Sequence, residues 1–142
     1  QNNVINGNFM RRIIFVIMAL ALVAPVSLHA RKKQNADISF KETVYDFGSV
    51  PERGGKVSHV FEFVNTGNAN LVIKDVTAEC GCTTPEYPQN PIAPGKKGVV
   101  KVTYNPLGRP GGFNKTVTVK TNGKTKRVYL KVKGVVNPNK KQ

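Results

Sequence analysis

The sequence predicts an all-β, immunoglobulin-like antiparallel β-sandwich of seven to eight strands, preceded by a signal-peptide helix. Three observations carry this reading. From Asp37 onward, apolar and polar residues alternate in short runs. Clusters of Gly, Pro and Asn break those runs at fairly regular spacing. Beyond the first third of the chain, no stretch carries an apolar stripe of helical period. Of the 142 residues, roughly 110 remain for the fold, enough to bury one core without many disulfides.

Residues 1–9 precede Met10 and carry no structural signal. Met10-Arg11-Arg12, the apolar run Ile13–Val23, and Pro25 followed by Ser27-Leu28-His29-Ala30 give a basic start, an apolar middle and a small residue at a cleavage point. Residues 10–30 are therefore read as a signal peptide, too short for the ~20 apolar residues of a comfortable span. Arg31-Lys32-Lys33 places positive charge just behind it, which opposes translocation. An uncleaved anchor is thus the alternative, and membrane attachment is expected only in that case. Residues 31–36 form a polar linker, 37–136 the domain, and 137–142 a polar tail.

Within the domain, Ile38–Phe40 and Val44–Gly48 are the first two runs, and Pro51–Gly55 is a turn cluster. In Lys56–Asn65, Val57, His59, Phe61 and Phe63 share one parity and hence one face. Thr66-Gly67-Asn68 turns the chain into Leu71–Val76. Glu79–Pro94, with four prolines and both cysteines, reads as a long loop. Val99–Tyr104 is a strand, Asn105–Gly112 a second Pro/Gly loop, and Lys115–Thr121 a clean alternation. Asn122-Gly123 signals a tight hairpin turn into Arg127–Val136. The expected core is Phe47, Val57, Phe61, Phe63, Leu71, Ile73, Val100, Val102, Val117, Val119, Leu130 and Val132. One parallel pairing at a sheet edge is compatible with this order.

The formal charge is +14. Without Arg11 and Arg12, residues 31–142 hold 20 basic and 8 acidic side chains, net +12. Such a balance suits an anionic partner such as lipopolysaccharide, anionic lipid or acidic glycan. It equally suits a solvated outer face. Export and the lack of an aromatic stacking strand argue against nucleic acid.

Catalytic groups are scarce. His59 is the only histidine of the domain, and its neighbour Ser58 points to the opposite face, so the two cannot work as nucleophile and base. The eight carboxylates are scattered and form no acid–base pair. No phosphate-cradling glycine loop or calcium loop is present. The reading is therefore not an enzyme, with no catalytic residue, no cofactor and no small-molecule substrate.

Cys80-Gly81-Cys82 is the distinctive constellation. A disulfide across one glycine is compatible with export. However, a fully extended stretch would hold the two Cα atoms about 7 Å apart, so Gly81 must bend the chain. A soft-metal site using Cys80 and Cys82 lacks the further ligands that zinc needs. A purely structural, buried role is the third reading. All three stay open. The loops beside the cysteines offer Thr83, Thr84, Glu86, Tyr87, Arg109 and Phe113 as binding candidates, for a protein or an envelope polymer.

Four segments together resemble a known family: F-x-F-x-N-x-G at Phe61–Gly67, C-G-C-T at Cys80–Thr83, P-I-x-P-G at Pro91–Gly95, and N-P-x-G-R-P-G-x-F-x-K at Asn105–Lys115. In these the chain, from about Asp37 to Val136, is similar to the DUF1573 family, common in Bacteroidetes. The resemblance implies an exported immunoglobulin-like domain, related in architecture to ASPM–SPD-2–Hydin and major-sperm-protein domains. It implies no catalytic residues and no established function. Three functions are thus in play: a binding or scaffolding module of the periplasm or envelope, a thiol-redox or copper-handling protein using Cys80 and Cys82, and an electrostatic binder of anionic envelope polymers.

Overall fold

The computed structural model describes residues 33–138. The expected signal-peptide helix, the segment before it and the last four residues of the tail lie outside these. Eight strands follow in order: β1 Ile38–Phe40, β2 Val44–Pro51, β3 Val57–Asn65, β4 Ile73–Ala78, β5 Thr83–Glu86, β6 Lys97–Tyr104, β7 Gly111–Thr121 and β8 Arg127–Asn137. They form two four-stranded sheets, β1-β3-β6-β5 and β2-β8-β7-β4. Every pairing is antiparallel except β2 with β8, a parallel edge pairing that the strand order allows.

The sheets form a sandwich because each strand alternates. Phe61 and Phe63 of β3, Val100 and Val102 of β6, Val117 and Val119 of β7, and Leu130 and Val132 of β8 meet in one buried cluster. Ten of the twelve residues expected in the core are buried. Phe47 and Val57 are only half-buried. Both pack on a second, smaller cluster of Val50, Cys82, Tyr104, Phe113 and Val136 at one end of the sandwich. There the core runs out against solvent, so they keep an exposed edge.

Five expectations need correction. Glu79–Pro94 is not one loop: Thr83–Glu86 pairs with β6 as an edge strand, where Pro85 is tolerated because an outer edge needs no N–H. Leu71 lies outside β4 and makes an isolated bridge to Ile92 instead. Strand β7 starts at Gly111, inside the expected second loop. The β7–β8 hairpin turns through Asn122–Lys126 rather than a two-residue Asn-Gly turn. Asn122 spends its side chain elsewhere: its Oδ1 accepts from Val72 N (2.8 Å) and its Nδ2 donates to the Asn70 carbonyl (3.0 Å). Ala36, placed in the linker by sequence, is buried, and its carbonyl accepts the Lys124 N–H at 2.8 Å.

Candidate functional site

The second cluster floors a groove at the end of the sandwich where β3 begins. The chain leaves β4 at Ala78 and must reverse to enter β5 at Thr83. The Thr83 N–H donates to the Cys80 carbonyl at 3.2 Å, closing a tight turn. The Cys82 carbonyl accepts the Asn105 N–H at 2.9 Å, tying the turn to the end of β6. Inside it, Cys80 and Cys82 are joined by a disulfide with Cα atoms 5.2 Å apart. The extended-chain separation does not apply, because the turn supplies the bend. Cys82 is buried and Cys80 is half-buried. The Thr83 hydroxyl lies 3.6 Å from one sulfur and 3.8 Å from the other.

Below the bridge, the rings of Tyr104 and Phe113 stack with centroids 4.0 Å apart and planes 14° from parallel. Tyr104 is 1% exposed, yet its hydroxyl has no hydrogen-bond partner among the described residues, while no fully buried side-chain N or O there lacks one. The small exposed part of Tyr104 is therefore its hydroxyl, which opens into the groove. Burial pushes the phenol pKa up, opposed in part by the Arg109 charge, so the group remains an O–H donor at neutral pH.

Arg109 and Lys115 complete the wall. Arg109 follows a turn shaped by Gly108 at φ +70°, a conformation glycine adopts without strain. Asn105 Oδ1 accepts the Leu107 N–H and Glu52 Oε1 accepts the Gly108 N–H, both at 3.1 Å, and Arg109 Nη1 donates to the Leu107 carbonyl at 2.7 Å. Neither Arg109 nor Lys115 meets a carboxylate among the described residues. The groove has a volume of about 480 Å³. A larger depression of about 750 Å³ lies by the bulge in β2, but its charges, Asp46 and Lys133, already pair with each other at 3.6 Å.

The groove brings together Cys80, Cys82, Arg109 and Phe113 of the residues singled out from sequence, with Thr83 buried behind the sulfurs. Thr84, Glu86 and Tyr87 do not line it. Thr84 and Glu86 are exposed on β5, where Glu86 pairs with Lys101 at 3.2 Å. Tyr87 packs against the main core. His59 is occupied elsewhere: its ring stacks on Tyr45 at 3.5 Å and its Nε2 lies 2.8 Å from Glu42 Oε1. Among the described residues no three of His, Cys, Asp and Glu converge. Tyr104 and Lys115 were missed as site residues. Parity held a signal for both: Tyr104 continues the inward series of Val100 and Val102, and Lys115 is a lysine in the inward series of Val117 and Val119.

Two packed sheets with a disulfide-rimmed groove at one end define the class, a small β-sandwich domain. The pattern of the family described as "Protein of unknown function (DUF1573)" matches residues 38–136, so the chain belongs to that family. No curated protein matches it. Among solved structures it is similar to a protein of unknown function from Porphyromonas gingivalis W83, with TM-score 0.63, 18% identity, and coverage of 72% of this chain and 48% of that one. It is also similar to the Vibrio cholerae VesB protease, with TM-score 0.58, 15% identity, and coverage of 72% and 32%. The chain thus spans about half the length of the first and a third of the second. These likenesses show the fold alone.

Proposed function

We propose that the protein is an exported, non-enzymatic, immunoglobulin-like binding module of the periplasm or cell envelope of a Gram-negative bacterium. Its binding end is the groove beneath the Cys80–Cys82 bridge, and its occupant is an acidic segment of a protein or envelope polymer. One observation carries this: Tyr104, Arg109 and Lys115 line one groove, and among the described residues the Tyr104 hydroxyl has no acceptor partner and neither cation has a carboxylate. A carboxylate there would accept charge-assisted hydrogen bonds from all three. The basic start and apolar run of residues 10–30, with a disulfide suited to an oxidising compartment, support export.

The test places a photo-activated cross-linker at Asn114, on the groove wall, or at Thr103, on β6 outside it. In envelope preparations, adducts are expected from Asn114 only, and Arg109→Glu should abolish them. Equal adducts from both positions, or adducts indifferent to Arg109→Glu, would sink the assignment.

A second reading has its own observation. On β8, Tyr129 is 55% exposed between Arg127 and Lys131, neither of which pairs with a carboxylate among the described residues. Such a face suits an acidic glycan or lipopolysaccharide. Binding there should weaken steeply with salt and with Arg127→Ala/Lys131→Ala. Salt-independent binding removes this reading.

A further inference from the structure

We infer that the Cys80–Cys82 bridge is an exchangeable disulfide that oxidises dithiols reaching the groove. As a staple the bridge does little, because it closes a loop of only three residues and so restricts the unfolded chain weakly. The turn that holds the two cysteines together does not depend on it. The Thr83 N–H to Cys80 carbonyl bond and the Asn105 N–H to Cys82 carbonyl bond are made by the backbone. Both thiols therefore stay side by side after reduction, and the bond can re-form in place.

The two cysteines are unequally exposed. Cys80 is half-buried on the groove, whereas Cys82 is 6% exposed and packs with Val50, Tyr104, Phe113 and Val136. An incoming thiolate therefore meets the Cys80 sulfur, and Cys82 is the leaving group. The Thr83 hydroxyl, 3.6 Å from Cys80 Sγ and 3.8 Å from Cys82 Sγ, is placed to donate to whichever sulfur carries the charge. Arg109 and Lys115 line the same groove and favour thiolate over thiol.

The steps balance. The first substrate thiolate attacks Cys80 Sγ, a mixed disulfide forms, and the Cys80–Cys82 bond breaks with its electron pair on Cys82. The second substrate thiolate then attacks the substrate sulfur of the mixed disulfide and expels the Cys80 thiolate. The substrate dithiol leaves as a disulfide, and its two electrons and two protons remain on Cys80 and Cys82. The co-reactant class is a dithiol; the oxidant is the bridge itself. The exchange rests on the cysteines and their turn, with Arg109 and Lys115 shared with the acidic-segment reading.

The probe is dihydrolipoate, applied to the whole folded chain, followed by alkylation and intact-mass measurement. Two alkyl groups should be gained without denaturant, and oxidised lipoate should restore the unalkylatable form. In single-cysteine variants, Cys80 (in Cys82→Ser) should alkylate at least about tenfold faster than Cys82 (in Cys80→Ser), following exposure. Reduction that occurs only after urea is added overturns the proposal. So do equal alkylation rates in the two variants, or two thiols already reduced in protein isolated from the envelope. Asn114 cross-linking should persist in Cys80→Ser/Cys82→Ser, where exchange is gone, so failure of one reading is distinguishable from failure of the other.

Discussion

At Asn65, where β3 ends, each polar side-chain atom is answered by the chain itself; at Val57, where the same strand begins, the groups around Tyr104 are left for something else. Asn65 is fully buried, its Nδ2 donating to the carbonyls of Ala69 (2.8 Å) and Ile92 (2.9 Å), its Oδ1 accepting from Gly67 N (3.0 Å) and Asp37 N (3.4 Å). Asp37 Oδ1 accepts from Ile38 N and from Thr125 N in the β7–β8 loop, both at 3.0 Å. Gly67 sits so close to the backbone of Asn35 and Asp37 that a Cβ there would collide with it. This end is a closed latch, binding β1, β3 and the hairpin loop into one piece. The other end has stacked rings, a bridge and, among the described residues, two cations without carboxylates and a hydroxyl without an acceptor. Saturated hydrogen bonding marks the structural end, and unmet hydrogen bonding marks the end where the proposed partner would dock.

The contrast predicts where stability resides. Asn65→Ala should cost the most, about 3–4 kcal/mol, because it leaves the Ala69 carbonyl and the Gly67 and Asp37 N–H groups without their partner and takes from the Ile92 carbonyl one of its two bonds. Urea unfolding at neutral pH measures it; a cost below about 1 kcal/mol would mean water replaces the amide, and the latch would be no stronger than the groove end. Reducing the Cys80–Cys82 bridge should cost less, about 1–2 kcal/mol, since so short a loop constrains the unfolded chain little. A larger loss in urea unfolding of the reduced protein would make the bridge a staple after all.

Asp37 sharpens the comparison through pH. Hydrogen bonds from Thr125, then that from Ile38, hold its carboxyl below the ordinary range, with Lys124 adding to the effect and burial opposing it. A carboxyl whose folded pKa is depressed stabilises the fold above its unfolded value of about 4, and that contribution is lost as pH falls through the folded value. Asp37→Ala should therefore cost about 1 kcal/mol at neutral pH. The gap between variant and parent should shrink below about pH 4. Unfolding curves at neutral and acid pH check this; a gap that is constant across pH would mean the charge plays no part.

The latch and the main core were more legible than the groove, for physical reasons. Period-two alternation reports directly on burial, so Phe61, Phe63, Val117, Val119, Leu130 and Val132 were readable one strand at a time. Asn65 and Gly67 stood out as a motif, though only the fold shows which carbonyls the amide reaches. The groove is a product of register. Cys82, Tyr104, Arg109 and Phe113 meet because β5 pairs with the end of β6 and β7 begins early, at Gly111. Pro85 concealed β5 by reading as a loop residue. Phe113 was singled out for binding but stacks under the groove, 8% exposed. Thr84, Glu86 and Tyr87 lie near the cysteines in sequence but not in the groove, because a strand sends successive side chains to opposite faces.

The smallest expected effect on stability is the most informative about function. Tyr104→Phe keeps the ring that stacks on Phe113 and removes only a hydroxyl that bonds to nothing within the described protein. Its cost in urea unfolding should be under about 0.5 kcal/mol, because no hydrogen bond within the fold is lost. If the groove receives an acceptor, the same substitution should weaken the binding read by Asn114 cross-linking by about tenfold or more while leaving the fold intact, as removing one donor to a carboxylate costs about 1.5–3 kcal/mol of binding. Measured together, the two numbers separate the ends of β3. At Asn65 a lost polar group should appear in stability, and at Tyr104 it should appear in binding. A Tyr104→Phe variant that loses several kcal/mol of stability would show that its hydroxyl is answered within the protein, and that the two ends of the sandwich close in the same way.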